Sequence, residues 1–166
     1  MNRRTNFEDV GDFHERMGLP RATGAEPHAP TLLGADAFRY RVNFMFEELR
    51  EFIESHAAND VAGCADALVD LVYVALGTAH FMGLPFDDVW AEVQRSNMEK
   101  RPWREGDPVK PRASATAFEV VKPAGWTPPD VAGVVRARFL ALAGRERASA
   151  PMISEDDPWR EDLAGS

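Results

Sequence analysis

Residues 61–83 read VAGCADALVDLVYVALGTAHFMG, an apolar run broken by two acidic residues, Asp66 and Asp70. Asn59 or Asp60 can cap its start, and Gly83-Leu84-Pro85 ends it. The stretch therefore predicts a helix that is apolar over most of its circumference and must be covered on several sides. Asp is a poor helix former, and a carboxylate among Ala, Leu and Val is costly unless it has a partner. Asp66 lies near enough to the helix start to serve as a cap or dipole residue, but Asp70 sits between Val69 and Leu71 in the middle. No Lys or Arg occurs from Glu51 to Gln94, so a divalent cation is the expected partner rather than a basic side chain from the two long helices.

The preceding segment, roughly Ala35 to His56, carries Val42, Met45, Phe46, Leu49, Phe52 and Ile53 at the spacing of a helix burying one stripe. Glu47, Glu48, Glu51 and Glu54 cluster on it. At about 100° per residue, Glu48 and Glu51 lie about 60° apart, and Glu47 and Glu51 about 40° apart. A solvated acidic face is the plain explanation for that helix alone, yet Glu48 borders the apolar stripe and can reach into a bundle. Such a set of carboxylates, with no histidine, suits a hard ion, Mg²⁺ or Mn²⁺. A di-iron bundle would want Glu-x-x-His, and none of His14, His28, His56 or His80 has a Glu three residues before it.

Around these two helices the pattern is also helical. Phe7, Val10, Phe13 and Met17 predict a short amphipathic helix from Asn6 to Met17, and residues 20–34, rich in Pro and Gly, predict a loop. PFDDVWAEVQRSNMEK, residues 85–100, opens with Pro and two Asp in the manner of a helix start. After a Pro-, Trp- and basic-rich stretch, residues 130–146 predict a last helix, and 147–166 a disordered tail. No strand is expected. The fold class expected is all-α, one domain over residues 1–146, with the helical bundle completed by homo-oligomerisation because so apolar a helix cannot be covered by so few others.

Composition narrows the function. The 166 residues are 45% apolar and 28% charged, enough for one real core, and the net charge of −8 argues against binding a nucleic acid polymer. A single Cys64 excludes an internal disulfide. No signal peptide and no stretch of about 18 uncharged apolar residues is present, so a cytoplasmic protein without a membrane association is expected. Between Arg95 and Arg112 the net charge is +3, leaving −11 for the rest. An acidic metal centre beside a basic strip suits a polyphosphate substrate, although a basic solvated loop has the same composition.

EELRE at Glu47 to Glu51 and DALVD at Asp66 to Asp70 resemble the paired acidic motifs of the all-α nucleoside triphosphate pyrophosphohydrolases, the MazG-like superfamily that includes phosphoribosyl-ATP pyrophosphohydrolases. FHERMGLP, DLVYVALGTAHFMGLPFDDVWAEVQRSNMEK and KPAGWTPPDV extend the resemblance over roughly residues 7–135. This sequence has Ala67 where an ExxD motif ending at Asp70 has Glu, with Asp66 one position earlier.

The resemblance implies that Glu48, Glu51 and Asp70, with Glu47 and Asp66, hold Mg²⁺, with Mn²⁺ a substitute; a surplus carboxylate such as Glu47 is then the expected acceptor of a proton from the attacking water. It implies Asn97, Lys100 and Arg95 as nucleotide contacts, and a homo-oligomer, dimer or tetramer. The expected activity is hydrolysis of a (d)NTP, with dUTP or another pyrimidine as candidate, to (d)NMP and pyrophosphate in nucleotide-pool house-cleaning. Hydrolysis of phosphoribosyl-ATP and a catalytically silent metal- or nucleotide-binding bundle are the alternatives. Tyr73, Trp103 and Trp126 are either pocket or packing aromatics, and Cys64 is read as a small packing residue.

Overall fold

The structure is a computed structural model that describes residues 4–24, 27–104, 107 and 120–149. Five helices dominate it: α1 (Asn6–Arg16), α2 (Ala35–Ala57), α3 (Val61–Phe81), α4 (Phe86–Met98) and α5 (Val131–Ser149). The ends follow from local chemistry. Thr5 and Glu8 form a reciprocal capping box on α1, with the Thr5 hydroxyl accepting from Glu8 N and the Glu8 carboxylate from Thr5 N. Asp60 caps α3 by accepting from Gly63 N at 3.0 Å. Gly83, with φ of 66°, ends α3 where a side chain would collide with the carbonyls of His28 and Ala29.

α2 and α3 form an antiparallel hairpin through the turn 58–60, and α1 packs across α3. The core is small: Phe7, Val10, Ala22, Leu76 and Ala79 cluster where α1, the loop after it and α3 meet. His80 is wholly buried there, stacked on Phe7 with ring centroids 3.9 Å apart. Its Nδ1 accepts from Ala22 N at 3.1 Å and its Nε2 donates to Phe7 O at 2.8 Å. Both ring nitrogens are thereby satisfied in the neutral tautomer, and burial lowers the His80 pKa to about 4.

Two expectations change. A two-residue antiparallel pair, β1 (Arg101–Pro102) with β2 (Val120–Val121), exists where no strand was expected; it pins the ends of the segment between α4 and α5. α5 continues to Ser149, past the expected start of the tail, whose residues 150–166 lie outside the described ones. Within the chain the apolar surface of the hairpin is left largely uncovered. Phe46, Leu49 and Ile53 on α2, and Leu68, Val69, Val72 and Tyr73 on α3, are exposed. By length and composition α3, mean hydropathy 1.6, is apolar enough to cross a membrane despite its two Asp, but it is also the central packing element of this fold.

Candidate active site

The hairpin sets the five carboxylates of the paired motifs on facing stretches of α2 and α3, within electrostatic reach of Glu48. Because α2 and α3 run antiparallel, Glu47, Glu48 and Glu51 in the second half of one face Asp66 and Asp70 in the first half of the other. Glu48 is the only buried member, 7% exposed, and the other four are exposed. Burial raises the Glu48 pKa, and Glu51, Asp70, Glu47 and Asp66 each raise it further. Among the described residues no salt bridge reaches any of the five; the neighbouring Glu54 pairs with Arg50 at 3.7 Å. Ala67 is buried, so the position that differs from an ExxD pattern is filled by a methyl packed inside the hairpin.

The donor set fits a hard divalent cation: all oxygen, strongly negative, anchored by one buried carboxylate and free of competing basic partners. The other four carboxylates act on Glu48 as like charges and do not form a closed ligand shell. Among the described residues, no three His, Cys, Asp or Glu side chains are gathered closely enough to hold an ion between them.

A cavity of about 420 Å³ opens beside this cluster, with Glu48 and Asp70 at one end. Its other walls include Phe13, Tyr40, Phe44, Tyr73 and Phe81, together with His14 and Arg41. Tyr73 is thus a pocket residue as well as a packing one, meeting Phe13 edge-on at 5.6 Å. Arg41 and His14 were missed by sequence reasoning, which looked for a basic side chain only downstream of Glu51. The signal was present in the seven-residue spacing from Arg41 to Glu48, which returns to the same helix face after two turns. Arg41 nonetheless leaves the carboxylates alone: its Nε donates to Thr78 Oγ1 at 3.0 Å and its Nη2 to Val74 O at 2.6 Å.

The expected nucleotide contacts on α4 and just past its end have other engagements. Arg95 binds Glu92 at 2.8 Å and Glu99 at 2.5 Å, and it donates to Thr127 Oγ1 at 3.2 Å. These carboxylates hold its guanidinium more basic than usual. Trp126 donates from its indole to Ser96 O at 2.9 Å while the buried Ser96 donates to Thr127 O at 3.1 Å, so the strap before α5 is stitched to α4. Lys122 sits 4.0 Å from the Trp126 ring centroid, which assigns that aromatic an anchoring role. Lys100 donates to Asn97 Oδ1 at 2.7 Å on the exposed surface. Among the described residues no hydrogen bond or ion pair joins α4 to the carboxylate cluster. Of the basic strip, Lys110 and Arg112 lie outside the described residues, and Arg101 is paired with Asp107 at 2.5 Å. Cys64 is half-buried against Phe52 O, in keeping with a packing role.

One buried and four exposed carboxylates, an adjoining aromatic cavity and a cation at its far end can together bind an anionic, planar molecule and position a water at its charged end. The family model for phosphoribosyl-ATP pyrophosphohydrolase matches residues 10–97, the span that contains α2, α3 and every lining residue of this cavity. Among curated proteins, none matches the chain.

Proposed function

The chain belongs to the phosphoribosyl-ATP pyrophosphohydrolase family, within the all-α MazG-like superfamily, and is a hydrolase acting on phosphorus anhydrides; from that premise we propose that its substrate is a (d)NTP, dUTP or another pyrimidine dNTP. It releases (d)NMP and pyrophosphate and serves nucleotide-pool house-cleaning. The observation that carries this reading is the buried Glu48, within electrostatic reach of four further carboxylates and lining, with Asp70, a cavity of nucleoside dimensions.

Glu48, Glu51 and Asp70, with Asp66, would hold Mg²⁺, or Mn²⁺ in its place. Bound there, the ion supplies charge neutralisation for the phosphates and a more acidic water. Glu47, exposed at the rim of the cluster, accepts the proton as the water oxygen bonds to the α-phosphorus, and the bond from that phosphorus to the bridging oxygen breaks to release pyrophosphate. Asn97 and Lys100 reach the distal phosphates or sugar; Arg95, already paired twice, holds the strap before α5 in place.

The exposed apolar faces of α2 and α3 support a homo-oligomer, dimer or tetramer, whose partner helices cover Leu68, Val69 and Val72. A monomer by light scattering at micromolar concentration would remove that part of the reading.

The test is incubation with a panel of NTPs and dNTPs plus Mg²⁺, resolving pyrophosphate from orthophosphate and NMP from NDP. Pyrophosphate with NMP supports the reading, and Asp70→Ala abolishes it. Glu47→Gln lowers turnover and leaves Mg²⁺ affinity largely intact. The family match equally favours phosphoribosyl-ATP, and turnover of that compound alone would replace the dNTP reading. No turnover of either would leave a silent binding bundle.

A further inference from the structure

The far end of the cavity holds two polar atoms that have no hydrogen-bond partner among the described residues. His14 is 3% exposed, and its Nδ1 lies 2.6 Å from Pro20 O, a carbonyl that can only accept. The Nδ1 therefore carries the hydrogen and Nε2 is left as a bare acceptor. Arg41 spends Nε and Nη2 on Thr78 and Val74, and among the described residues its Nη1 has no hydrogen-bond partner. The two groups converge over Gly77: a Cβ built there would stand 3.0 Å from both Arg41 Nη2 and His14 Nε2. Only a glycine lets both side chains approach α3 so closely.

The surroundings select a flat ligand. The guanidinium lies 5.7 Å from the Phe44 ring centroid and 5.4 Å from that of Phe81, and Tyr40, Phe13 and Tyr73 complete the wall. Arg41 is seven residues before Glu48 on α2, and Gly77 is seven after Asp70 on α3. Each spacing is about 10 Å of helix rise, so the donor–acceptor pair stands one nucleoside length from the carboxylates.

We propose that His14 and Arg41 form a base-reading edge that selects a lactam nucleobase, uracil foremost, its ring N–H donating to His14 Nε2 and its adjacent carbonyl accepting from Arg41 Nη1. Thymine and guanine present the same pair of groups. Cytosine and adenine present the reverse, an amino group facing the Arg41 donors and a bare ring nitrogen facing the His14 acceptor, so both contacts become repulsive. The inference rests on the nucleotide pyrophosphohydrolase reading and decides, within it, between uracil and cytosine.

The test compares kcat/KM for dUTP and dCTP in the full-length protein with Mg²⁺, and Kd for the non-hydrolysable α,β-imido analogues of both. The expected result is a preference for dUTP of about a hundredfold, the scale of two mispaired buried hydrogen bonds. His14→Asn keeps a donor for Pro20 O and removes the Nε2 acceptor; it should bring that preference to within about threefold, mainly through KM. Arg41→Lys, with the melting temperature checked, should do the same. Equal or better use of dCTP, or a His14→Asn variant that slows both nucleotides alike, overturns the proposal while leaving pyrophosphohydrolysis standing. If no nucleotide is hydrolysed, tighter binding of the dUTP analogue still supports the reading edge, and equal or absent binding of both overturns it.

Discussion

Arg41 and Glu48 line one cavity from its two ends, two helical turns apart on the same face of α2, and they do not pair. The cation is held by Val74 O and Thr78 Oγ1 on α3, and the carboxylate is left among four others. The hairpin thus keeps opposite charges apart along a trough instead of neutralising them. An isolated scaffold would gain from pairing them; a site that receives a dipolar ligand gains from keeping them separate.

Glu48→Gln should separate function from stability. Burial and four like charges raise the Glu48 pKa, so the folded chain resists ionising it, and stability linked to this group falls as pH rises above the ordinary carboxylate range. In chelator at pH 7 the variant should melt at the same temperature as the native chain or a few degrees higher, while kcat/KM with Mg²⁺ falls by at least about a hundredfold. Thermal scans and pyrophosphate release measure the two sides; a variant that is less stable yet active would show Glu48 to be a packing residue.

His80 should make the fold acid-sensitive. Its neutral ring uses both nitrogens, and its pKa is lowered from 6.5 to about 4, so the unfolded chain takes up this proton first as pH falls. The contribution is complete above pH 6.5 and is lost between there and pH 4, on the order of 3 kcal/mol in all. Denaturant titrations of native protein and His80→Gln across that window should diverge in slope. Parallel curves would assign the acid sensitivity elsewhere.

Gly77→Ala pits two effects against each other. Alanine favours the helix by about 1 kcal/mol over glycine, but its Cβ would press on Arg41 Nη2 and His14 Nε2 at 3.0 Å. Both are side-chain ends that can shift, so the melting temperature should change little while nucleotide affinity drops about tenfold. Calorimetric titration with an α,β-imido analogue reads the second quantity, and unchanged affinity would place the ligand elsewhere.

Arg95 and Lys100 should behave differently despite standing five residues apart, Arg95 on α4 and Lys100 just past its end. Arg95→Met breaks contacts to Glu92, Glu99 and Thr127 and should lower the melting temperature without moving KM. Lys100→Met should raise KM several-fold with little effect on melting, because its Asn97 contact is exposed. Steady-state kinetics and melting curves on the pair settle which side chain meets substrate.

Helix existence, type and most boundaries were legible in the chain itself, because Val42 to Ile53 repeat at 3.6 residues and Asp60, Gly83 and Pro85 carry their own turn and cap chemistry. The acidic motifs were equally legible, since a carboxylate at position 48 or 70 beside an apolar stripe has few structural excuses. The two-residue strands escaped notice because their pairing joins Arg101 to Val121 across the chain and needs no local pattern. Two things came only from tertiary structure. One was the extent of Glu48 burial: its place beside the apolar stripe marked it as the carboxylate able to reach inward, but only the packing of α3 on α2 leaves it 7% exposed while Glu47 and Glu51 stay in solvent. The other was the meeting of His14 with Arg41. They come from different helices and share no periodicity, and they converge because α1 and α2 both pack on α3, where Gly77 leaves room for two side chains at one point. Local order follows from local spacing, whereas a binding edge assembled from three helices depends on how their faces close on one another.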